Sequence, residues 1–374
     1  MTQRQGAIDC CVHHQWAAPL ELHAYLSPGW REFIGRPDAL APGFGMSAIL
    51  PGEVYEHPAG GWMPEARAGG APGSDPRRLL HDHLNPAGIE HAVLCVHQAL
   101  SVGTLPGAGY GADVARAIND WTIERWLSGG DERFFGLVTA ATQVPENAAA
   151  EIRRAGRHPR MVGVLMAGNG LGKTFGHPVY EPVYAAAQEL GLPVVIHTGT
   201  DSPPNSASQP TAGGLPATFA EYYAMRAQPL YSHLLSMVTQ GVFERHRGLK
   251  ALFVGGGITW MPSLVWRMDS DFRNYAAREA PWIKRYPREQ VAEQVRVTTY
   301  SMRGTPAAPA LRSYLEELEW LGDIMCFASG YPRWDADPIT AAAERVPEAW
   351  HTRVYRDNAQ GLFRWPSAKR LEAV

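Results

Sequence analysis

Cys11-Val12-His13 sets a thiol and an imidazole two residues apart, inside the run Ile8-Asp9-Cys10-Cys11-Val12-His13-His14. Side chains alternate between the two faces of an extended strand, so Asp9, Cys11 and His13 share one face. Two further apolar runs also end in histidine, His91–His97 and Pro193–Gly199, the latter through His197. A thiolate and two imidazoles brought to one rim are compatible with tetrahedral zinc, which takes three protein ligands and leaves one position open in catalytic sites. The same histidines, neutral near pH 7, suit general acid–base work without a metal. Cys11 beside an imidazole could also form a nucleophile–base pair if its pKa were depressed, or simply fill space.

These residues need a scaffold that gathers strand ends. Short apolar, β-branched runs alternate with helical periodicity along the chain, the pattern of parallel βα units. The strand candidates are Ala7–His13, His91–His97, Phe134–Ala140, Met161–Gly168, Pro193–Gly199, Leu249–Gly256, Val295–Ser301 and Ile324–Gly330. Helices are expected at Ala112–Leu127, Glu146–Gly156, Val179–Leu190, Phe219–Arg245, Ile258–Tyr275, Ala308–Leu321, Asp337–Ala343 and Val354–Phe363. Eight strands, nearly continuous in apolar residues, predict a (β/α)₈ TIM barrel, and no GxGxxG turn follows the first strand to favour an open doubly wound sheet. The whole chain, 1–374, reads as one barrel domain. Residues 14–90 form a Gly- and Pro-rich insertion in the first βα connection, placed by the barrel topology over the mouth. Asp201–Pro216 reads as a second lid.

Of the 374 residues 45% are hydrophobic and 19% charged, enough apolar matter for a large core. The net charge of −3 and the absence of basic runs argue against nucleic acid as a partner. No stretch is long and apolar enough to span a membrane, and Met1–Gly6 has no apolar leader core, so a cytoplasmic location is expected. The four cysteines show no CxxC spacing and are expected as reduced thiols, with Cys95 and Cys326 as small buried hydrophobes.

Four ordered motifs carry a resemblance across essentially the whole chain: the Ile8–His14 run, Pro193-Val-Val-Ile-His197-Thr-Gly, Gly255-Gly-Gly-Ile-Thr-Trp260-Met-Pro-Ser-Leu-Val-Trp266-Arg-Met-Asp269, and Phe327-Ala-Ser-Gly330-Tyr331-Pro332-Arg333-Trp334-Asp335. Asn119-Asp120-Trp121 and Asp357-Asn358-Ala359 add to it. The chain resembles the amidohydrolase-related family, the branch of the amidohydrolase superfamily that includes aminocarboxymuconate-semialdehyde decarboxylase. That resemblance implies a divalent metal held by an acid-or-His-x-His pair on strand one, a His on strand five and an Asp on strand eight, with a His or Glu ending strand six. His13 and His197 match the two histidine ligands. Cys11 stands at the first ligand position, Gly330 at the aspartate, Gly255-Gly256 at the strand-six group, and Arg333 at a usual His.

The losses lead to an expectation of no cofactor and metal-independent acid–base chemistry of lyase, hydrolase or cyclase type on a small anionic substrate. His13, His197, Arg333, Cys11 and His233 are the expected catalytic residues, with Arg333 as a carboxylate clamp, and Trp334, Tyr331, His97 and Trp260 line the pocket. Asp9 and Asp335 are expected to brace the mouth by hydrogen bonds. Two alternatives stay open: a zinc-dependent decarboxylase or hydrolase using Cys11, His13 and His197, and a non-catalytic ligand-binding member. The resemblance further implies a homodimer.

Overall fold

The computed structural model describes residues 6–34, 57, 60–105, 107–167, 171–198, 216–302 and 308–366. Eight parallel strands follow one another in sequence order: β1 (Ala7–His14), β2 (Ile89–Val96), β3 (Phe134–Thr139), β4 (Met161–Ala167), β5 (Val194–His197), β6 (Ala251–Val254), β7 (Val295–Thr298) and β8 (Met325–Cys326). Backbone bonds close the ring between the first strand and the last: Cys10 N–H to Phe327 O at 2.9 Å, Gly330 N–H to Cys11 O at 3.0 Å, and His13 N–H to Tyr331 O at 2.7 Å. This is the expected (β/α)₈ barrel. Every residue of β1, β3, β4, β5 and β6 is buried, as required when helices cover the outside and side chains fill the inside.

Helices lie between the strands close to their expected positions, for example Ala108–Thr122, Pro145–Ala155, Glu181–Glu189 and Trp260–Asp269. Two differences have local causes. The single helix expected over Phe219–Arg245 is three, Phe219–Ala224, Gln228–Thr239 and Val242–Arg245, broken where Pro229 cannot continue a ladder and where Gly241 takes φ +76°. A further helix, Pro287–Gln294, precedes β7 and was hidden by its mostly polar run; Pro287 opens it, and Glu289 accepts from the Tyr286 N–H at 2.9 Å.

Asn119 and Asn358 show what their motifs do. Asn119 is fully buried, donates to Thr139 O at 3.2 Å and accepts from Thr139 N at 2.8 Å, clipping its helix to the end of β3. Asn358 donates to Gly322 O and Met325 O, fastening the C-terminal helix beneath β8. Both side chains bond backbone groups at the ends of strands and helices.

The first βα connection is bound to the rim by several contacts. Trp62 bridges to Arg333, Met63 N–H bonds Pro332 O at 3.0 Å, and Trp334 N–H bonds Gly61 O at 3.1 Å. The lid expected at Asp201–Pro216 lies outside the described residues, apart from Pro216. Among the described residues no helix is long and apolar enough to cross a membrane.

Candidate active site and metal centre

A β-bulge in β1 sets up the site. Asp9 pairs with Ala92 and Val12 with Leu94, so β1 holds one more residue than β2 across this interval. A bulge leaves a backbone group unpaired. Here the Cys11 N–H finds the Asp9 carboxylate at 3.1 Å. Asp9 also accepts from Ser329 N at 3.0 Å and meets His83 Nε2 at 2.8 Å, tying β1 to the loop after β8 and to the insertion. Asp9 therefore braces the mouth, as its place on the strand suggested. His83 in turn lies flat on Tyr331, with ring centroids 4.5 Å apart.

Past the bulge, Cys11, His13 and His197 come together. Cys11 Sγ lies 3.5 Å from His197 Nε2 and 3.7 Å from His13 Nε2. His197 points its other nitrogen, Nδ1, at Thr198 O, which fixes the ring with Nε2 inward. The register of β1 on β2 pairs His13 with Cys95. The ligand atoms of Cys11, His13, Cys95 and His197 all lie within 4.8 Å of one another, and all four residues are buried. Cys95 is a buried free thiol of the core, as expected, and it also brings its Sγ into this group. A signal for it existed: Cys95-Val96-His97 repeats the Cys11-Val12-His13 pattern at the end of the neighbouring strand.

The electrostatics are those of a buried, cation-rich floor. Burial, reinforced by His197, His97, Arg333 and Arg226, holds the His13 pKa well below the usual histidine range. Burial and the adjacent Cys95 thiol push the Cys11 thiol up, against a smaller downward pull from His197. That direction favours the thiol over the thiolate that a nucleophile–base pair needs. His13 Nδ1 has no hydrogen-bond partner among the described residues.

Around this group Arg333 is buried, its Nη1 3.4 Å from His97 Nε2 and its guanidinium over the Trp62 ring at 5.2 Å. The His97 ring stands edge-on to His13 at 5.7 Å. Arg226, a residue the motifs did not single out, forms a 2.5 Å ion pair with fully buried Asp335. Tyr300 donates to the other Asp335 oxygen at 2.8 Å. Burial raises the Asp335 pKa, but Arg226, Arg333 and the Tyr300 hydrogen bond outweigh it, leaving the carboxyl below its ordinary value.

The remaining expected residues are dispersed. Trp334 stacks on His57 at 4.1 Å and packs beside Tyr223. Trp260 sits at the start of the helix after β6, donating to Gly257 O at 2.9 Å. Tyr331 faces a groove of about 640 Å³ shared with Met63, Arg78, His83 and Ile339. His233 is not part of the four-residue group: its Nδ1 accepts from Phe175 N at 3.1 Å and its ring stacks on Phe175. Burial lowers its pKa to about 3. Gly330, at the strand-eight aspartate position, opens no space at the mouth, because the Tyr300 ring lies beside it.

With this geometry in view, residues 63–365 match the family model described as Amidohydrolase. The chain belongs to the amidohydrolase family. The matched segment begins after β1, so Cys11 and His13 precede it, while Cys95, His197 and Arg333 fall within it. The chain is 28% identical over 308 residues to the gamma-resorcylate decarboxylase of Rhodococcus jostii (strain RHA1), covering 78% of this chain and 87% of that protein. It is 29% identical over 164 residues to the 2-amino-3-carboxymuconate-6-semialdehyde decarboxylase of Dictyostelium discoideum, 43% of this chain and 42% of that one. In fold it is similar to the 5-carboxyvanillate decarboxylase of Novosphingobium aromaticivorans, a structure with bound manganese and 3-methoxy-4-hydroxy-5-nitrobenzoic acid. There the TM-score is 0.65 and the identity 20%, over 96% of this chain and 97% of that one.

These findings correct the expectation of a site without cofactor or metal. That expectation rested on counting lost carboxylates, and it overlooked Cys95. Four buried donor atoms converge at one point, a similarly folded decarboxylase is a structure with bound manganese, and thiols and imidazoles are competent ligands once deprotonated.

Proposed function

We propose that the protein is a decarboxylase-like lyase acting on a small hydroxylated aromatic carboxylic acid at the barrel mouth. The observation that carries this reading is the similarity to gamma-resorcylate decarboxylase over 87% of that protein's length. In such a reaction the bond from ring to carboxylate breaks, its electron pair stays on the ring carbon, and a proton takes the place of the departing carbon dioxide.

The residues at the mouth suit an anionic aromatic acid. Arg333 offers a planar cation that can pair with a carboxylate or phenolate, and the Trp62 face beneath it keeps the guanidinium oriented. His97 beside Arg333 adds a polar edge. His13, with Nε2 turned to Cys11, keeps its buried Nδ1 without a hydrogen-bond partner among the described residues, which leaves that nitrogen able to carry a proton. A divalent ion held by Cys11, His13, Cys95 and His197 would supply a fixed positive charge under the substrate.

One observation favours a non-catalytic ligand-binding protein instead: the strand-eight aspartate position is Gly330, with the Tyr300 ring against it. Incubation with 2,6-dihydroxybenzoate and with 5-carboxyvanillate, following carbon dioxide release and the phenolic product, separates the two. Turnover that is lost in His13→Ala supports the lyase. Binding of both acids without turnover would leave only the ligand-binding reading.

A further inference from the structure

We infer that Cys11, His13, Cys95 and His197 form a closed four-donor site for a thiophilic, tetrahedral ion of the zinc class, and that manganese does not occupy it. The inference concerns which ion is held and by what, and it stands whether or not the protein is a decarboxylase.

Geometry is the first support. Zinc–sulfur bonds of about 2.3 Å and zinc–nitrogen bonds of about 2.0–2.1 Å at tetrahedral angles place sulfur and nitrogen about 3.6 Å apart. The two such edges seen here, Cys11 Sγ to His197 Nε2 and to His13 Nε2, measure 3.5 and 3.7 Å. Two edges thus have the length of a zinc tetrahedron, and the remaining donor pairs lie within 4.8 Å of one another. A larger, six-coordinate ion would need them spread and would need further ligands.

Chemistry is the second. The group contains two thiols and two imidazoles and no carboxylate. The two nearby carboxylates are committed elsewhere, Asp9 to Cys11 N, Ser329 N and His83, and Asp335 to Arg226 and Tyr300. Manganese prefers carboxylate, carbonyl and water oxygens and binds nitrogen and sulfur sites most weakly among the divalent first-row metals, whereas thiolate with imidazole is a zinc set. All four residues are buried, a setting that disfavours the several waters a hard ion keeps.

Placement is the third. The β1 bulge turns Cys11 toward the histidines, with its N–H held by Asp9, and the β1–β2 register sets Cys95 beside His13. His197 is oriented through Thr198 O. With Cys95 as the fourth donor the ion has no open position, so it charges and shapes the floor of the mouth, and a substrate oxygen reaches it only if a protein donor leaves.

The test uses the full chain, freed of metal with a chelator and then offered zinc and a tenfold excess of manganese together. Elemental analysis is expected to find stoichiometric zinc, and X-ray absorption at the zinc edge to find two sulfur and two nitrogen neighbours at about 2.3 and 2.0–2.1 Å. Cys95→Ser, checked for folding by circular dichroism, should weaken zinc retention at least about tenfold, since the loss of even an outer partner costs that much, and should drop one sulfur from the shell. Stoichiometric manganese, no bound metal, a shell lacking sulfur, or a one-sulfur shell in the unmodified protein would each overturn the assignment. No activity is read, so the outcome is separate from the fate of the decarboxylase proposal.

Discussion

A β-carbon built on Gly330 would lie closer than 3.0 Å to the ring of Tyr300. Gly330 also has φ +69°, a conformation that side chains other than glycine adopt at a cost. The two residues account for each other: the phenol fills the volume that a strand-eight side chain would take, and its hydroxyl bonds Asp335 five residues farther along.

Restoring a carboxylate at this place is therefore expected to fail structurally. Gly330→Asp should destabilise the fold by about 2–5 kcal/mol, combining left-handed backbone strain with overpacking. Adding Tyr300→Ala should recover part of the loss, which urea denaturation of the two single variants and the double variant would read as a coupling energy. Simple additivity of the two single losses would show that the ring and the glycine do not share one space.

Asp335 is expected to matter more to stability than its rim position suggests. Truncation to Ala takes the carboxylate partner from Arg226, whose side chain is 15% exposed and keeps, among the described residues, only Thr198 Oγ1 and the Tyr300 hydroxyl, a change worth up to about 3–5 kcal/mol. Its pKa is held below the ordinary carboxyl value by Arg226, Arg333 and Tyr300 against the opposing effect of burial. A depressed folded-state pKa means the stabilisation is present above the unfolded value near 3.9 and fades as the pH falls through the folded value. The advantage of the wild type over Asp335→Asn in chemical denaturation should accordingly shrink from pH 5 downward.

His233 gives the same test on a base. Its folded pKa is about 3, set by burial, while an unfolded histidine titrates near 6.5. Between those values the unfolded chain binds the extra proton, so stability rises with pH through this window by up to about 1.4 kcal/mol per unit for this one group. His233→Gln, whose amide oxygen can still accept from Phe175 N, should flatten the stability profile between pH 4 and 6.5. An unchanged slope would place the titration elsewhere.

Arg333 should reveal itself in binding. Arg333→Gln is expected to raise the KM for an aromatic acid at least tenfold, because a charge-assisted hydrogen bond is worth about 1.5–3 kcal/mol, and Arg333→Lys should restore only part of it. Equal KM values for all three proteins would move the carboxylate clamp to another residue, with Arg226, whose charge also acts on His13, the next candidate.

The eight strands, their order and the helical shell were legible in the sequence because parallel strands buried on both faces leave short apolar runs that local composition displays. Strand ends follow from strand positions, and so did the meeting of Cys11, His13 and His197. Other relationships were hidden because they join residues far apart in the chain through register and packing. The bulge that turns Cys11 inward is visible only in the pairing of β1 with β2, and that same register brings Cys95 to His13. Arg226 reaches Asp335 across 109 residues. Composition counts the carboxylates that a motif has lost. Only the folded chain decides which thiol stands near which imidazole and which ring occupies a vacated corner, because ligand sets and steric fit depend on distances of a few ångströms between separate strands.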